Sequence, residues 1–576
     1  MNSENTGRPA IPPGEFMGHP KALWQLSNVE MWERFSFYGM RALLAVYVAT
    51  TFFGHLGEQA NAQASLVYGG YTAMVYATGI LGGYIADHVL GYQRSILLGA
   101  IIMSAGLFVL LVEDLTWFLV GLSLIVAGNG LFKPNISTMI GKLYEPGDVR
   151  RDSGFTVFYM SINLGAFIAP FITASWIGVQ FGMKWGFFAA AIGMVLSTLF
   201  LEVAKRSLGP VGRPAEGKEG WGMFFLVGIG ALLMSIGVYF LLSESSILGI
   251  LLLNIMAFVI LYFFSSSYKA AALTVVGGTA LWAVLQLMMY QGAEGVGFLD
   301  HIRANAFDQV PLLAWCLVVV LAAIVFMVRQ LRVGDKVQVQ RYIAMVILFV
   351  ANACFWALFE QAGSSLNFFA REFVAPIQSF IPILSFSGEE WANGGFGIFQ
   401  SLNPLYILLF APAFAALWPW LDKRNMNPSI PRKFALGLIQ VALGFYVLVF
   451  AIANFQNAAG LVPWIFLALT YLLHTTGELC LSPIGLSMVT KLAAEKETGM
   501  AMGGWFLSVA MAQYVAGLIA AIASGGSGGG EHGPAIGATI GQYSDTYWML
   551  FLIGLAFGVV YLVVAPLINK LMHGVK

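Results

Sequence analysis

Continuous apolar runs of about 20 residues recur along the chain, separated by short polar breaks. That length matches the hydrocarbon thickness of a bilayer when the run is helical. The pattern predicts spans at 23–53, 65–86, 92–112, 116–144, 154–181 and 184–204. A polar linker rich in Gly, Pro, Lys and Arg follows at 205–219, then four more runs at 221–243, 247–266, 270–290 and 311–329. A second group of six lies at 341–367, 396–420, 433–454, 462–491, 499–523 and 546–569. The runs are continuous, not alternating ten-mers, which excludes a β-barrel. The expected class is an all-α integral membrane protein with two six-helix bundles and inserted helices between them. Its expected parts are an N-terminal tail (1–22), a first bundle (23–204), a linker with two to four inserted spans (205–340), a second bundle (341–569) and a C-terminal tail (570–576).

One run breaks the apolar pattern. Glu30, Glu33, Arg34 and Arg41 stand inside 23–53, and positions 30, 33, 34, 37, 38 and 41 fall on one helical face. An ionisable group at membrane depth costs roughly 2.5–3.5 kcal/mol. Such a stripe must therefore face a wet or polar cavity. Further polar groups at mid-depth are Lys133, Asn163, Glu360, Asn403 and Glu478. An isolated Asn has even odds of being a plain interhelical contact. A Lys or Glu at that depth points instead to function. Four carboxylates (Glu30, Glu33, Glu360, Glu478) stand against three cations (Arg34, Arg41, Lys133), so one bound proton would neutralise the set. Phe37, Tyr38, Tyr76, Tyr159, Trp356 and Trp505 lie near these charges in sequence and are expected to line a cavity, although any one alone reads as packing. His474 is expected to be a hydrogen-bonded core histidine.

Composition agrees. Hydrophobic residues make up 59% and charged residues 10% of the 576, with mean hydropathy +0.78. Soluble domains carry about 25% charge. The net charge is zero, so nothing suggests nucleic acid. If the N-terminus is cytoplasmic and every run crosses, 23 of the 29 Lys and Arg fall on the cytoplasmic side and 3 outside. That is a strong positive-inside bias. The first 20 residues are polar and Pro-rich, so no cleavable signal is expected. Cys316, Cys354 and Cys480 stand alone, without disulfide or metal spacing. Segments 55–64 and 524–541 read as mobile loops, and 371–395 as a longer structured outer loop.

Between the second and third runs, Gly82-Gly83-Tyr-Ile-Ala-Asp87-His-Val-Leu-Gly91-Tyr-Gln-Arg94 resembles the loop signature of the major facilitator superfamily. Within it, the chain resembles the proton-dependent oligopeptide transporter family. The resemblance rests on Glu30-x-x-Glu33-Arg34-Phe, Gly-Leu-Phe-Lys133-Pro-Asn, Phe158-Tyr159-Met-Ser-Ile-Asn163-Leu-Gly, Glu360-Gln361 and Gly477-Glu478-Leu-x-Leu-Ser482-Pro483. It implies proton-coupled symport of di- and tripeptides by alternating access, with no cofactor, and small peptides, protons and lipid as partners. It implies that Arg34 and Lys133 hold the peptide carboxylate and Glu478 its amino terminus. Asn163 and Asn403 would bond the backbone or termini. Tyr38, Tyr76, Trp356, Ser482 and Trp505 would complete the site. Glu30 and Glu33 would handle the proton. Arg41–Glu360 would close the outer gate, and Lys133–Glu478 would pair when the site is empty. Phe37 stands where the family usually has tyrosine, Gly69 where animal members have histidine, and four inserted runs where bacterial members commonly have two.

The runner-up is a transporter of another small solute, such as nitrate or a drug-like molecule. Charges clustered at mid-depth argue against a channel. The spans hold no metal cluster, Ser/His or Asp/Asp arrangement that would make an enzyme. A bacterial inner membrane is the expected location, with both termini cytoplasmic.

Overall fold

The computed structural model describes residues 14–57, 59–145, 147–214, 220–290, 297–525 and 539–575. The ends of both tails, part of the 205–219 linker and most of the Gly-rich 524–541 loop lie outside these residues.

Every predicted run is helical, but some are broken: 65–86 at Thr78, before a separate helix Gly79–Ile85; 154–181 at Pro170, before a wider turn Phe171–Gly178; and 341–367 at Glu360–Gly363, before a helix Ser365–Phe373. Without water, each backbone polar group must bond inside its own segment, and long apolar runs do this as helices. The first bundle comprises α1 (Lys21–Thr51), α2 (Gln59–Ala77), α3 (Tyr92–Val109), α4 (Leu115–Lys142), α5 (Arg150–Pro170) and α6 (Met183–Leu208). The insert is α7 (Trp221–Ser243), α8 (Ser245–Ser265), α9 (Tyr268–Met289) and α10 (Gln309–Val333). The second bundle comprises α11 (Lys336–Phe359), α12 (Leu402–Asp422), α13 (Ile430–Asn454), α14 (Trp464–Leu492), α15 (Thr498–Ala523) and α16 (Ile540–Leu571). Among the described residues, fourteen helices are long and apolar enough to cross a membrane. The first two long helices fall below that apolarity, α1 because of its charged stripe and α2 because it is rich in Ala, Gly, Gln and Tyr.

Three local departures correct the sequence reading. Segment 55–64 is not a loop throughout: α2 begins at Gln59, and Asn61 donates to Glu372 at 2.9 Å. The polar tail holds a two-stranded hairpin, Glu15–Phe16 with His19–Pro20, tied by His19 Nδ1 to the Tyr144 hydroxyl at 2.8 Å and by Glu15 to Arg150 at 2.7 Å. A short helix, Phe298–Asn305, precedes α10. It carries Arg303, which donates to Glu244 at 2.7 Å and Asp300 at 2.6 Å. Segment 371–395 is ordered by pairing of Val374 with Val462 and by a capped helix, Gly388–Asn393.

The insert touches both bundles. Helix α7 lies on α4, and α8 lies on α15 and reaches α2. Helices α9 and α10 pack on α8 and on each other. Inside that group Asn254 Oδ1 accepts from Thr279 Oγ1 at 2.6 Å and Trp315 Nε1 at 3.2 Å.

The bundles meet at one end. Among the described residues, direct polar bonds between them include Arg41–Glu360, Asn61–Glu372, Asn367 to the Ala42 carbonyl (3.0 Å) and Ser175 to the Gly395 carbonyl (3.4 Å). All lie towards the side opposite the termini. Helices α2 and α15 cross at Gly69 and Gly517, where a Cβ on Gly69 would stand 2.7 Å from the Gly517 Cα. No side chain fits there without moving a helix. On the terminal side the second half of α12, from Leu408 on, is only partly buried or exposed. Among the described residues, the polar bonds between the bundles therefore cluster at the face opposite the termini.

Candidate functional site

The charges of α1 are assembled within that helix. Glu30, Glu33 and Arg34 are all buried. Arg34 Nη2 donates to Glu33 Oε1 at 2.6 Å and Arg34 Nε to Glu33 Oε2, a fork-to-fork pair. Arg34 Nε also lies 3.1 Å from Glu30 Oε1, while Glu30 Oε2 has no hydrogen-bond partner among the described residues. The guanidinium stands 5.3 Å from the Phe37 ring centroid, so the ring serves as a cation–π surface where a hydroxyl is missing. Lys133 on α4 places Nζ 4.6 Å from the Tyr76 ring on α2, in the field of Arg34, Glu33, Glu30 and Glu360. Asn163 on α5 donates to the Tyr159 carbonyl at 3.0 Å.

The second bundle supplies Glu478, a buried carboxylate with no ion-pair partner among the described residues. Glu478 on α14 accepts from Asn403 Nδ2 at 2.8 Å. The same amide reaches Thr475 Oγ1 at 3.0 Å. Lys133 and Glu478 do not pair, contrary to the expectation for an empty site. The bundles are joined at the opposite face, and each group is held on its own bundle, by Tyr76 or by Asn403. Tyr38 is partly buried on α1, with the Arg41 guanidinium 5.7 Å from its ring. Ser482, one turn beyond Glu478, is partly buried.

At the joined end, Arg41 Nη2 meets Glu360 Oε2 at 2.5 Å, and Arg41 Nε donates to the Tyr68 hydroxyl at 2.6 Å. Glu360 opens a tight turn, Glu360–Gly363, that ends α11. Trp356, one turn earlier, is half-buried. Trp505 is the exception among the expected lining residues. It is 4% exposed and packs edge-on against Phe349 and Phe434, with Gly485 beside its ring. His474 also departs from expectation: its ring packs against Phe445 at 4.9 Å, and neither ring nitrogen makes a well-formed hydrogen bond. Sequence reasoning missed Tyr68, Thr475 and Asn352. The one available signal was helical spacing, with Asn352 four residues before Trp356 and Thr475 three before Glu478, and packing residues share that spacing.

The loop signature is structural here. Asp87 accepts from the Tyr92 hydroxyl. Gly91 has φ +71°, and a Cβ there would stand 2.5 Å from the Pro214 nitrogen, so the place is closed to a side chain. Gly83 has open space around it. Arg94 donates to the Gly220 carbonyl at 3.1 Å and lies 4.9 Å from the Trp221 ring, which ties this loop to the start of α7. A cavity of about 1000 Å³ at the terminal face is lined by Asp87, Lys142, Arg151 and Arg213, apart from the buried charges. Among the described residues no three His, Cys, Asp or Glu side chains are placed to hold a metal.

The architecture and buried charges define a multi-pass membrane transporter of the major facilitator fold, not an enzyme. The chain belongs to the POT family, whose model matches residues 93–208 and 215–533. It is 33% identical to the uncharacterized transporter YclF of Bacillus subtilis over 98% of each chain. It is also 33% identical to the peptide transporter YePEPT of Yersinia enterocolitica over 88% of each. A solved peptide transporter POT mutant in complex with alafosfalin superposes with TM-score 0.68 at 30% identity, covering 98% of both chains. A POT family transporter in complex with 5-aminolevulinic acid gives TM-score 0.67 at 28% identity, covering 97% of this chain and 99% of that one.

Proposed function

We propose that this chain is a proton-coupled symporter that imports di- and tripeptides by alternating access. The observation that carries the reading is the division of charge between the bundles: buried Arg34 and partly buried Lys133 on the first, and buried Glu478, held by the Asn403 amide, on the second. A zwitterion needs such a pair of poles at fixed separation. Relatives named as peptide transporters support the same substrate class. In this reading Arg34 and Lys133 take the carboxylate and Glu478 the amino terminus. Asn163 and Asn403 bond the peptide backbone, and Tyr38, Tyr76, Trp356 and Ser482 line the site, with Trp505 behind them. An arginine fork suits a carboxylate, but Glu33 and Glu30 already engage it. The unpartnered Glu30 Oε2 is where a proton is taken up, loosening that hold. Rupture of Arg41–Glu360 opens the outer face. The gradient supplies roughly 2.3 kcal/mol per charge per 100 mV and roughly 1.4 kcal/mol per pH unit.

The 23-to-3 cation asymmetry supports cytoplasmic termini, and bacterial relatives support an inner membrane. We divide the chain into bundles 23–204 and 341–569 around the insert 205–340. Uptake of labelled dialanine by proteoliposomes under an imposed pH gradient tests the reading. Concentrative uptake is expected, and uptake blind to the gradient refutes the coupling. The second reading, a non-peptide zwitterion, is favoured by the relative that binds 5-aminolevulinic acid, which also bears an amine and a carboxylate. Failure of dialanine to compete would select it.

A further inference from the structure

Asn352, Trp356 and Glu360 are spaced by four residues and share one stripe that runs from α11 into its terminal turn. Asn352 is fully buried. Its Oδ1 accepts from Trp356 Nε1 at 3.0 Å, and its Nδ2 donates to Ser508 Oγ at 2.8 Å on α15. Ser508 Oγ in turn donates to the Trp505 carbonyl at 2.7 Å. The carboxamide orientation follows from these bonds, since the indole N–H can only donate. A purely interhelical contact would need Ser508 alone. Here the other end of the amide is spent on the indole. The ring also meets Phe355 at 5.6 Å and Phe359 at 5.1 Å in edge-to-face contacts, which narrow its freedom further.

We infer that Asn352 is a positioning residue that sets the attitude of the Trp356 indole through its bracket to α15, and so sets which peptide side chains the transporter accepts. This rests on the peptide reading above. Asn352 touches no substrate. It acts through Trp356, whose half-buried ring is one turn from the Arg41–Glu360 pair.

The test compares wild type, N352L, W356F and the double variant in proteoliposomes, with dialanine and phenylalanyl-alanine as competitors of labelled dialanine. Wild-type competition by dialanine is the control for the peptide reading. If it is absent, that reading fails before any variant is compared. Given competition, N352L, which removes the bonds to Ser508 and to Trp356, should weaken phenylalanyl-alanine about fivefold relative to dialanine, the effect of freeing the indole from its one bond to Asn352. The kcat for dialanine should stay within about twofold of wild type, because the chemistry of the poles is untouched. The double variant should rank the peptides no differently from W356F, since coupled residues are not additive. An equal loss for both peptides, an unchanged ranking, or fully additive effects overturns the inference. If N352L does not fold, S508A takes its place. It removes the amide's anchor, so the same change of ranking is expected at about twofold, and no change overturns the inference.

Discussion

The two halves of the site hold charge in different ways. On α1, Arg34 is gripped by Glu33 and Glu30 of its own helix. On α14, Glu478 has no ion-pair partner among the described residues and is held by a neutral amide that also reaches Thr475. A buried charge paired within one helix is insensitive to how the bundles lie. A buried carboxylate held only by an amide remains open to an arriving ammonium. Between these halves, Arg41–Glu360 is a buried ion pair that crosses from bundle to bundle. On the proposed reading, binding and closure are separate jobs, given to separate charges.

Breaking the crossing pair has the largest expected effect. E360Q should reduce concentrative uptake to background while exchange of labelled for unlabelled peptide survives. Accumulation against a gradient by this variant would remove Glu360 from the coupling. Next come the poles. R34K keeps the charge but loses the fork, and a hydrogen bond to a charged group contributes about 1.5–3 kcal/mol. The KM for dialanine should rise at least about tenfold, measured as initial rates in proteoliposomes. An unchanged KM would mean that Glu33 and Glu30 occupy the guanidinium throughout.

The joined face offers a steric counterpart. G69A puts a methyl 2.7 Å from the Gly517 Cα, and overpacking of this kind costs about 1–3 kcal/mol. Because the clash lies between bundles, it should part the outer face. A cysteine placed at Asn61 should then label faster from outside in G69A than with Gly69 intact. Equal labelling would show that the helices absorb the methyl elsewhere. The smallest effect is expected outside the bundles. On the insert Arg303 pairs with the exposed Asp300, a pair that contributes little, and with Glu244, whose side chain is only 10% exposed. R303A should leave uptake at the wild-type value and lower the melting temperature modestly, because Glu244 loses its cation.

The sequence made some of this legible and hid the rest for physical reasons. Ionisable residues in an apolar run are costly, so Glu30, Glu33, Arg34, Lys133, Glu360 and Glu478 stand out without coordinates. The helices were readable because their runs are long and continuous; most ends differ by a few residues, as at α10, while α2, α5 and α11 stop eight or more residues short of their runs, at internal breaks that an apolar run does not reveal. Tyr68, Asn352 and Thr475 were hidden because a tyrosine, asparagine or threonine in a membrane helix usually serves packing. Only geometry separates those that hold Arg41, Trp356 or Asn403. Trp505 looked like Trp356 in sequence, yet its ring is enclosed by Phe349 and Phe434. The start of α2 was hidden by its polar residues, which are there because Asn61 meets Glu372.

The central claim is that the peptide's two ends are read by opposite poles on opposite bundles. Competition by dialanine, N-acetyl-dialanine and dialanine amide, in wild type and E478Q, tests it most directly. Wild type should reject both blocked peptides. E478Q should bind dialanine and its N-acetyl form about equally, since its amine pole is gone, while still rejecting the amide. If E478Q still prefers dialanine over the N-acetyl form as strongly as wild type does, Glu478 does not read the amino terminus and the account is wrong.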